Sequence, residues 1–430
     1  MPRLGRVLVI AASVGVGAAS PAAHADPALR SQVLATLEFA EQQLLDSVAE
    51  VGSATRFPRA TDPVTGRWRT RPSSDWTAGF FAGQLWLVFE HSGNAALRTA
   101  AEQWTAGVAP QASNTSTHDV GFMIFNSSGQ AYRVTGDDAY RQTVLTAAAS
   151  LDSRFDADVG GTRSWNNPAW EFPIIIDNMM NLELLFWSSQ HGTNPAAMLR
   201  WASHATSHAS LTRAHHVRPD ASTYHLVDFD PDTGEVLSRE TVQGFSDDST
   251  WARGQAWALY GFTMTYRETG APAFLATAEA VADRFLERLP ADGIPFWDFD
   301  APGIPSEPRD SSAAAIAASG LVELSTRASD AQRRQRYRAA AEAMLAALMS
   351  DAYLSDGVES SGLLLHGTGH KPGGSEIDVS LIYGDYYFVE ALTRYAALAP
   401  EVPVPSWAPV AVFLALLGAS RRRRAQPFDS

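Results

Sequence analysis

The sequence predicts an all-α chain, folded as a closed (α/α)6 barrel of six helical hairpins. Three observations predict it. Apolar residues recur at helical spacing along most of the chain, as in Val33, Leu37, Ala40, Leu44 and Val48 on one face. A degenerate segment recurs: HSGNAALRTAAEQW at 91, VTGDDAYRQTVLTAA at 134, HGTNPAAMLRWASHA at 191, ETGAPAFLATAEAVA at 268 and, more weakly, RASDAQRRQRYRAAAEAML at 327. Each copy reads as a helix end, a short turn, an N-cap and an Ala-rich helix. The opposite connections are long and rich in Trp, Asp, His, Gly and Pro. Short turns join antiparallel neighbours, so the chain reads as hairpins repeated along its length. Short turns at one end and long loops at the other suggest a double ring, with an open solenoid as the alternative.

In order, helices are expected near 30–49, 76–91, 95–107, 120–135, 138–154, 174–190, 195–213, 250–268, 272–289, 310–327, 330–349 and 378–397. Asp75, Asp248 and Asp378 stand where N-caps of the first helices of hairpins belong. The long loops cover roughly 50–75, 108–119, 155–173, 214–249, 290–309 and 350–377. In a ring they gather at one mouth, and functional residues concentrate on such loops. One catalytic domain is expected over 26–400, with no internal boundary.

The two ends read differently. Residues 1–25, MPRLGRVLVIAASVGVGAASPAAHA, carry a basic start, an apolar stretch and a small-residue ending. That is the pattern of a secretory signal, with a membrane anchor as the bland alternative. VPVPSWAPVAVFLALLGASRRRR, 402–424, has a Pro-rich lead, a short apolar run and four arginines. It resembles the C-terminal sorting tags of Gram-negative exported proteins, the PEP-CTERM type, which a membrane protease removes. The short defining motif is met only loosely, as VPVP. Residues 401–430 are therefore expected to be a sorting tag or a short anchor with a basic tail. Export to the periplasm, cell surface or medium of a Gram-negative-type bacterium follows as an expectation.

Composition narrows the chemistry. Hydrophobic residues make up 45% and charged residues 19%, as in a globular chain. There are no cysteines, which removes disulfides, thiolate metal sites and a cysteine nucleophile. A net charge of −14 argues against nucleic acid as a partner and requires a local cationic pocket for any anionic substrate. Lys371 is the one lysine among 33 basic residues. His204, His208, His215 and His216 lack an HExxH glutamate, and no metal is expected there. No GxSxG elbow and no glycine-rich phosphate loop occur, and no cofactor is expected.

Five segments bring chemistry to the expected mouth: SSDWTAGFFAGQLW (73–86), STHDVGFMIFNSSG (116–129), IIIDNMMNLELLFW (174–187), QGFSDDSTWARGQAW (243–257) and GHKPGGSEIDVSLIYGDYY (369–387). IIIDNMMN sets Asp177 among isoleucines and methionines, where an unpaired carboxylate is costly. It is either a satisfied structural acid or a proton-transfer group with a raised pKa. Trp86, Trp187 and Met179 fall at core spacing. Asp119 and Asp177 remain, among Trp, His, Gln and Arg. Aromatic platforms suit sugars, Arg suits a carboxylate or sulfate, and two carboxylates suit glycoside chemistry.

HDVGF, IIIDNMMNLELLFW, YHLVDFDPDTGEV, QGFSDDSTWARGQAW, WDFDAP with PRDSSAAAIAASGL, and IYGDYYFVEAL resemble glycoside hydrolase family 88, the unsaturated glucuronyl hydrolases. The resemblance spans about 70–397, and RGQAW favours it over the related unsaturated rhamnogalacturonyl hydrolases. It implies an (α/α)6 barrel. It also implies hydration of the C4=C5 enol ether of an unsaturated glucuronic acid that a polysaccharide lyase has left at a non-reducing end. On that match Asp177 is the acid/base and Asp119 the second essential carboxylate. His118, Trp76, Trp165, His225, Gln243, Arg253 and Trp257 match substrate-binding positions, with Arg253 the candidate to neutralise substrate charge. Lys371 matches a loop that recognises sulfate in some members, while His366 and Gly369 stand where serines are expected, which argues against strong sulfate dependence. The alternatives are the sister activity on pectin fragments, ordinary two-carboxylate glycosidase chemistry, and a non-catalytic sugar-binding surface protein.

Overall fold

Helices with apolar or small residues on most sides must be buried on most sides, and several of the described helices are of that kind. The computed structural model describes residues 26–398, so the expected signal segment and sorting tag lie outside the described residues. The helices are α1 (Pro27–Val51), α2 (Ala78–Ser92), α3 (Ala95–Val108), α4 (Gln130–Thr135), α5 (Asp138–Asp152), α6 (Asn178–His191), α7 (Pro195–His215), α8 (Ala252–Thr269), α9 (Pro272–Glu287), α10 (Ser311–Arg327), α11 (Ala331–Leu348) and α12 (Ile382–Ala397). A π-helix, Gly121–Gly129, runs directly into α4, and together they fill the expected 120–135 helix.

The inner ring is α2, the π-helix, α6, α8, α10 and α12, each packed on the next, and α12 packs on α2. The ring is therefore closed, and the open solenoid is excluded. α8 is buried from Ala252 through Thr265, and α10 from Ser311 through Val322. The small residues of α10, SSAAAIAASG, let its neighbours approach closely. Outside, α3 packs on α2, α5 on the π-helix, α7 on α6, α9 on α8, and α11 on α10, while α1 packs on both α12 and α2. The barrel's seam is tied by the Asp26 amide, which donates to the Tyr395 hydroxyl at 3.0 Å, and by Arg30, which donates to Leu398 O at 3.1 Å.

The recurrent segment performs as its composition dictates. Asn94, Asp137, Asn194 and Asp330 each accept hydrogen bonds from first-turn amides of the outer helix that follows. In the 268 copy Ala271 stands at the cap without a side-chain bond, and Pro272 opens α9 instead.

The long connections hold short strands that the helical period did not reveal. β1 (Phe57–Thr61) pairs with β2 (Trp68–Arg71), and β3 (Phe155–Asp156) with β4 (Gly161–Thr162). β5 (Phe172–Ile175), β6 (Leu226–Phe229) and β7 (Val236–Glu240) form one antiparallel sheet, and β8 (Gly367–His370) pairs with β9 (Ser375–Val379). Two expected helix starts move as a result. Ile174 and Ile175 belong to β5, so α6 begins only at Asn178. Residues 378–379 end β9, so α12 begins at Ile382.

The expected caps also need correction. Asp75 bonds the amide and hydroxyl of Thr77 at 3.0 and 2.8 Å, and Thr77 holds the cap position of α2. Trp251, not Asp248, stands at the cap of α8. Asp378 lies in β9 with φ of 57° and pairs with His366 at 2.5 Å.

Candidate active site

The π-helix places the first carboxylate. Asp119 sits at its lip, where its carbonyl accepts the Met123 amide at 2.9 Å. Its Oδ2 accepts the Thr117 hydroxyl at 2.6 Å. His118, buried, lies with Nε2 3.2 Å from Asp119 Oδ1. The tautomer of His118 follows from its neighbours. Asn181 Oδ1 accepts the Phe122 amide at 2.8 Å, so Asn181 Nδ2 is the donor that faces His118 Nδ1 at 3.3 Å. The imidazole proton is then on Nε2 and points at Asp119. Burial, and after it Arg154, pushes the His118 pKa down to about 3, so the ring is neutral. Burial pushes Asp119 up to about 6, against the Thr117 hydrogen bond.

The second carboxylate stands where β5 hands over to α6. Asp177 occupies the cap position of α6 yet makes no side-chain cap bond, and its buried Oδ2 has no hydrogen-bond partner among the described residues. Burial is the main cause that pushes its pKa up to about 7; Arg253 opposes and Asp119 reinforces this. His225 Nε2 lies 3.8 Å from Asp177 Oδ2. His225 Nδ1 accepts the amides of Val242 and Gln243 at 3.0 and 3.3 Å, so its proton is on Nε2 as well. Burial, and then Arg253, holds this ring neutral, with a pKa of about 3. Each aspartate is thus faced by a neutral histidine N–H. The Trp257 indole lies close enough to lower the Asp177 pKa but makes no hydrogen bond of normal geometry.

The aromatic walls are continuous. Trp76 is 4.9 Å from Tyr383 and 5.5 Å from Phe122 by ring centroids, and Phe122 is 5.4 Å from Trp257. Trp165 is 6.3 Å from His118, and its indole N–H is buried without a partner. Unpaired buried polar atoms of Asp177, His225, Trp165 and Trp257 thus belong to one site, which is the polar demand that a sugar would meet.

Arg253 departs from the expected role. Its guanidinium is 1% exposed and already paired with Asp310 at 2.7 Å. It also donates to Thr368 O at 2.7 Å and Gly369 O at 2.6 Å, and it lies 4.5 Å from the Trp251 ring. Its charge reaches Asp177, but its fork is spent on the scaffold. Gln243 Nε2 donates to the same Gly369 carbonyl at 3.0 Å. Lys371 is likewise engaged: Nζ lies 2.9 Å from Glu307 Oε2 and 5.5 Å from the Trp297 ring.

The other histidines are held apart by separate bonds. His204 pairs with Asp152 at 2.7 Å and stacks on Phe155, while His208 Nδ1 accepts the Thr162 amide at 2.9 Å. His216 Nε2 donates to Ile174 O at 2.9 Å. Among the described residues no three metal-ligating side chains converge. Asp385 is buried and accepts the Leu363 and Leu364 amides at 2.8 and 3.0 Å, so it pins a loop. Thr117, Asn181 and Asp310 support the site and were missed by sequence reasoning. Asp310 stands in the quoted PRDSS, but its partner is 57 residues away.

A helical barrel with two aspartates of raised pKa between tryptophans has the groups that a carbohydrate hydrolase needs. The comparisons with known proteins carry this further: residues 53–397 match the model of Glycosyl Hydrolase Family 88, and the chain belongs to that family. It is 43% identical over 348 residues to the unsaturated glucuronyl hydrolase of Formosa agariphila, covering 79% of this chain and 85% of that protein. It is 35% identical over 330 residues to the unsaturated chondroitin disaccharide hydrolase of Streptococcus pyogenes, covering 75% and 82%. A crystal structure of an unsaturated glucuronyl hydrolase specific for heparin superposes with a TM-score of 0.81 at 42% identity, covering 85% of this chain and 97% of that one.

Proposed function

We propose that the protein removes 4,5-unsaturated glucuronic acid from the non-reducing end of lyase-made oligosaccharides, with Asp177 as the acid and then the base. The observation that carries this is a buried carboxyl whose free oxygen faces the site and whose pKa lies near neutrality. The names of the relatives support the substrate class, an unsaturated glucuronyl sugar.

The reaction is hydration of an enol ether. Asp177 delivers its proton to C4, and the positive charge that forms at C5 is shared with the ring oxygen. Water adds at C5 and gives its proton to the Asp177 carboxylate. The hemiketal then opens to a C5 ketone, and the hemiacetal left at C1 collapses and releases the next sugar. A single group serves both halves when its pKa is near the working pH. Asp119 binds ring hydroxyls, and its charge favours protonated Asp177. The neutral N–H groups of His118 and His225 donate to sugar or carboxylate oxygens, and Trp76, Trp165 and Trp257 wall the ring. Gln243 and Arg253 hold the Gly369 carbonyl and so fix the loop that carries Lys371.

The test is a panel of lyase-digested chondroitin, heparin, gellan and pectin incubated with the full-length protein. Loss of the far-ultraviolet absorbance of the conjugated double bond is expected on the glucuronyl products. No loss on any member would overturn the proposal.

A further inference from the structure

Among the described residues, two arginines beside the mouth form no ion pair with a carboxylate. Arg154, 8% exposed, follows α5, and Arg163 follows β4. Arg154 donates Nε to Arg163 O at 2.9 Å, Nη1 to Thr115 O and Nη2 to Asn166 Oδ1 at 3.3 Å, all neutral acceptors. Arg163 donates Nη2 to Glu171 O at 2.6 Å, lies 5.6 Å from the Phe172 ring, and has a buried Nε without a partner. Among the described residues neither has a carboxylate within ion-pair distance. Both line one cleft of about 330 Å³ with Thr115, Asn166 and Asp156. Asp156 forms no ion pair with either arginine; its Oδ1 accepts the amides of Asp158 and Val159 at 2.9 and 3.1 Å.

In a chain of net charge −14, two adjacent guanidiniums that form no direct ion pair make a local cationic patch that an anion can answer. Burial, and after it Arg163, pushes the Arg154 pKa down to about 10, against the pull of Asp119. The cleft also borders the active site. Arg163 precedes Ser164 and Trp165, and Ser164 O accepts the His118 amide at 2.9 Å. Arg154 is near enough to act on both His118 and Asp119. The other cation expected to meet substrate charge, Lys371, is already paired with Glu307.

We propose that Arg154 and Arg163 form an oxyanion-binding subsite at the rim of the active site, which takes a sulfate or carboxylate group. Its source, on the function proposed above, is an acidic substituent on the sugars downstream of the unsaturated uronate. A guanidinium pair suits such a group because each fork can engage two oxygens.

The experiment compares the full-length wild type with Arg163→Gln and with Arg98→Gln, which removes an exposed charge paired with Glu102 elsewhere. Melting temperature is followed against sodium sulfate, with sodium chloride at matched ionic strength. Sulfate stabilises proteins in general, so the readout is the difference between variants. The wild type and Arg98→Gln are expected to gain a specific sulfate shift that Arg163→Gln lacks. Equal shifts in all three would overturn the subsite. In a second arm, KM is measured for sulfated and unsulfated unsaturated chondroitin disaccharides. A rise of about tenfold in Arg163→Gln for the sulfated substrate alone makes the substrate the source. Unchanged KM for both, with the sulfate shift lost, leaves the subsite standing for a free anion. Absence of turnover on every substrate would remove the proposed function, while the sulfate arm still decides the subsite.

Discussion

Asp177→Asn leaves the protein folded and lowers turnover of unsaturated disaccharides by about 10²–10⁴-fold or more, the range that a positioned acid supplies. Asn matches Asp in size, and the pocket already accommodates a neutral carboxyl, so binding persists. The loss belongs to kcat, because the missing proton acts only in the transition state. The pH dependence follows from the same group. Asp177 must be protonated to attack C4, so wild-type activity falls as pH rises through about 7. Asp119, pushed up to about 6, shapes the acid side, and the two apparent values belong to the pair. Stability gives an independent check. The folded pKa of Asp177 is raised, so the native state holds its proton more tightly and stability falls as pH rises from about 4 to about 7. Asparagine escapes this loss, and the variant should be more stable than wild type above pH ~7. Thermal melts across that range together with single-turnover assays decide the point; near-normal turnover would make Asp177 a structural acid.

Asp310→Ala is expected to destabilise the fold by about 3–5 kcal/mol, because it strands a buried guanidinium. The Arg253–Asp310 pair is 1% and 0% exposed, so neither charge can turn to water. Asp310 also accepts the Ser312 amide at 3.1 Å as the cap of α10, and the Thr368 amide at 3.3 Å. One substitution thus loosens the start of an inner helix, the β8 strand and the residue that acts on Asp177. Denaturant titration of Asp310→Ala, Arg253→Met and the double variant Arg253→Met/Asp310→Leu separates these effects. The double variant should be more stable than Asp310→Ala, since no charge is left unpaired. Activity should stay low in all three. A loss below about 1 kcal/mol in Asp310→Ala would contradict a buried, mutually dependent pair.

The barrel was legible because its signals are local and repeated. The period of the outer helices and the turn with its Asn or Asp cap sit within a few residues of each other, and Asn94, Asp137, Asn194 and Asp330 cap as their spacing implies. The strands were not, since most are four or five residues long and carry no clean alternation. One signal was present and unread. Asp62-Pro63-Val64-Thr65-Gly66 and Asp230-Pro231-Asp232-Thr233-Gly234 are two copies of one hairpin turn. In each, the aspartate Oδ1 accepts two amides and the glycine takes a φ of 67° or 70°, a conformation that favours glycine.

The two aspartates stood out by composition, but their roles came from the family resemblance. What sequence could not supply was pairing at long range. Arg253 looked free to meet a substrate until Asp310 was brought beside it, and Lys371 until Glu307 was. Asn181 sets the tautomer of His118 from 63 residues away. Those pairs exist only because the closed ring brings distant loops to one mouth.

The central claim is that the double bond is hydrated first and that glycosidic cleavage follows from it. Time-resolved NMR of an unsaturated disaccharide in D₂O, with the wild-type protein, tests this most directly. The vinylic H4 signal is expected to disappear as the reducing sugar is released, with one deuterium on a single face of C4. Accumulation of free uronic acid with its C4=C5 bond intact, ahead of any loss of that signal, would contradict it.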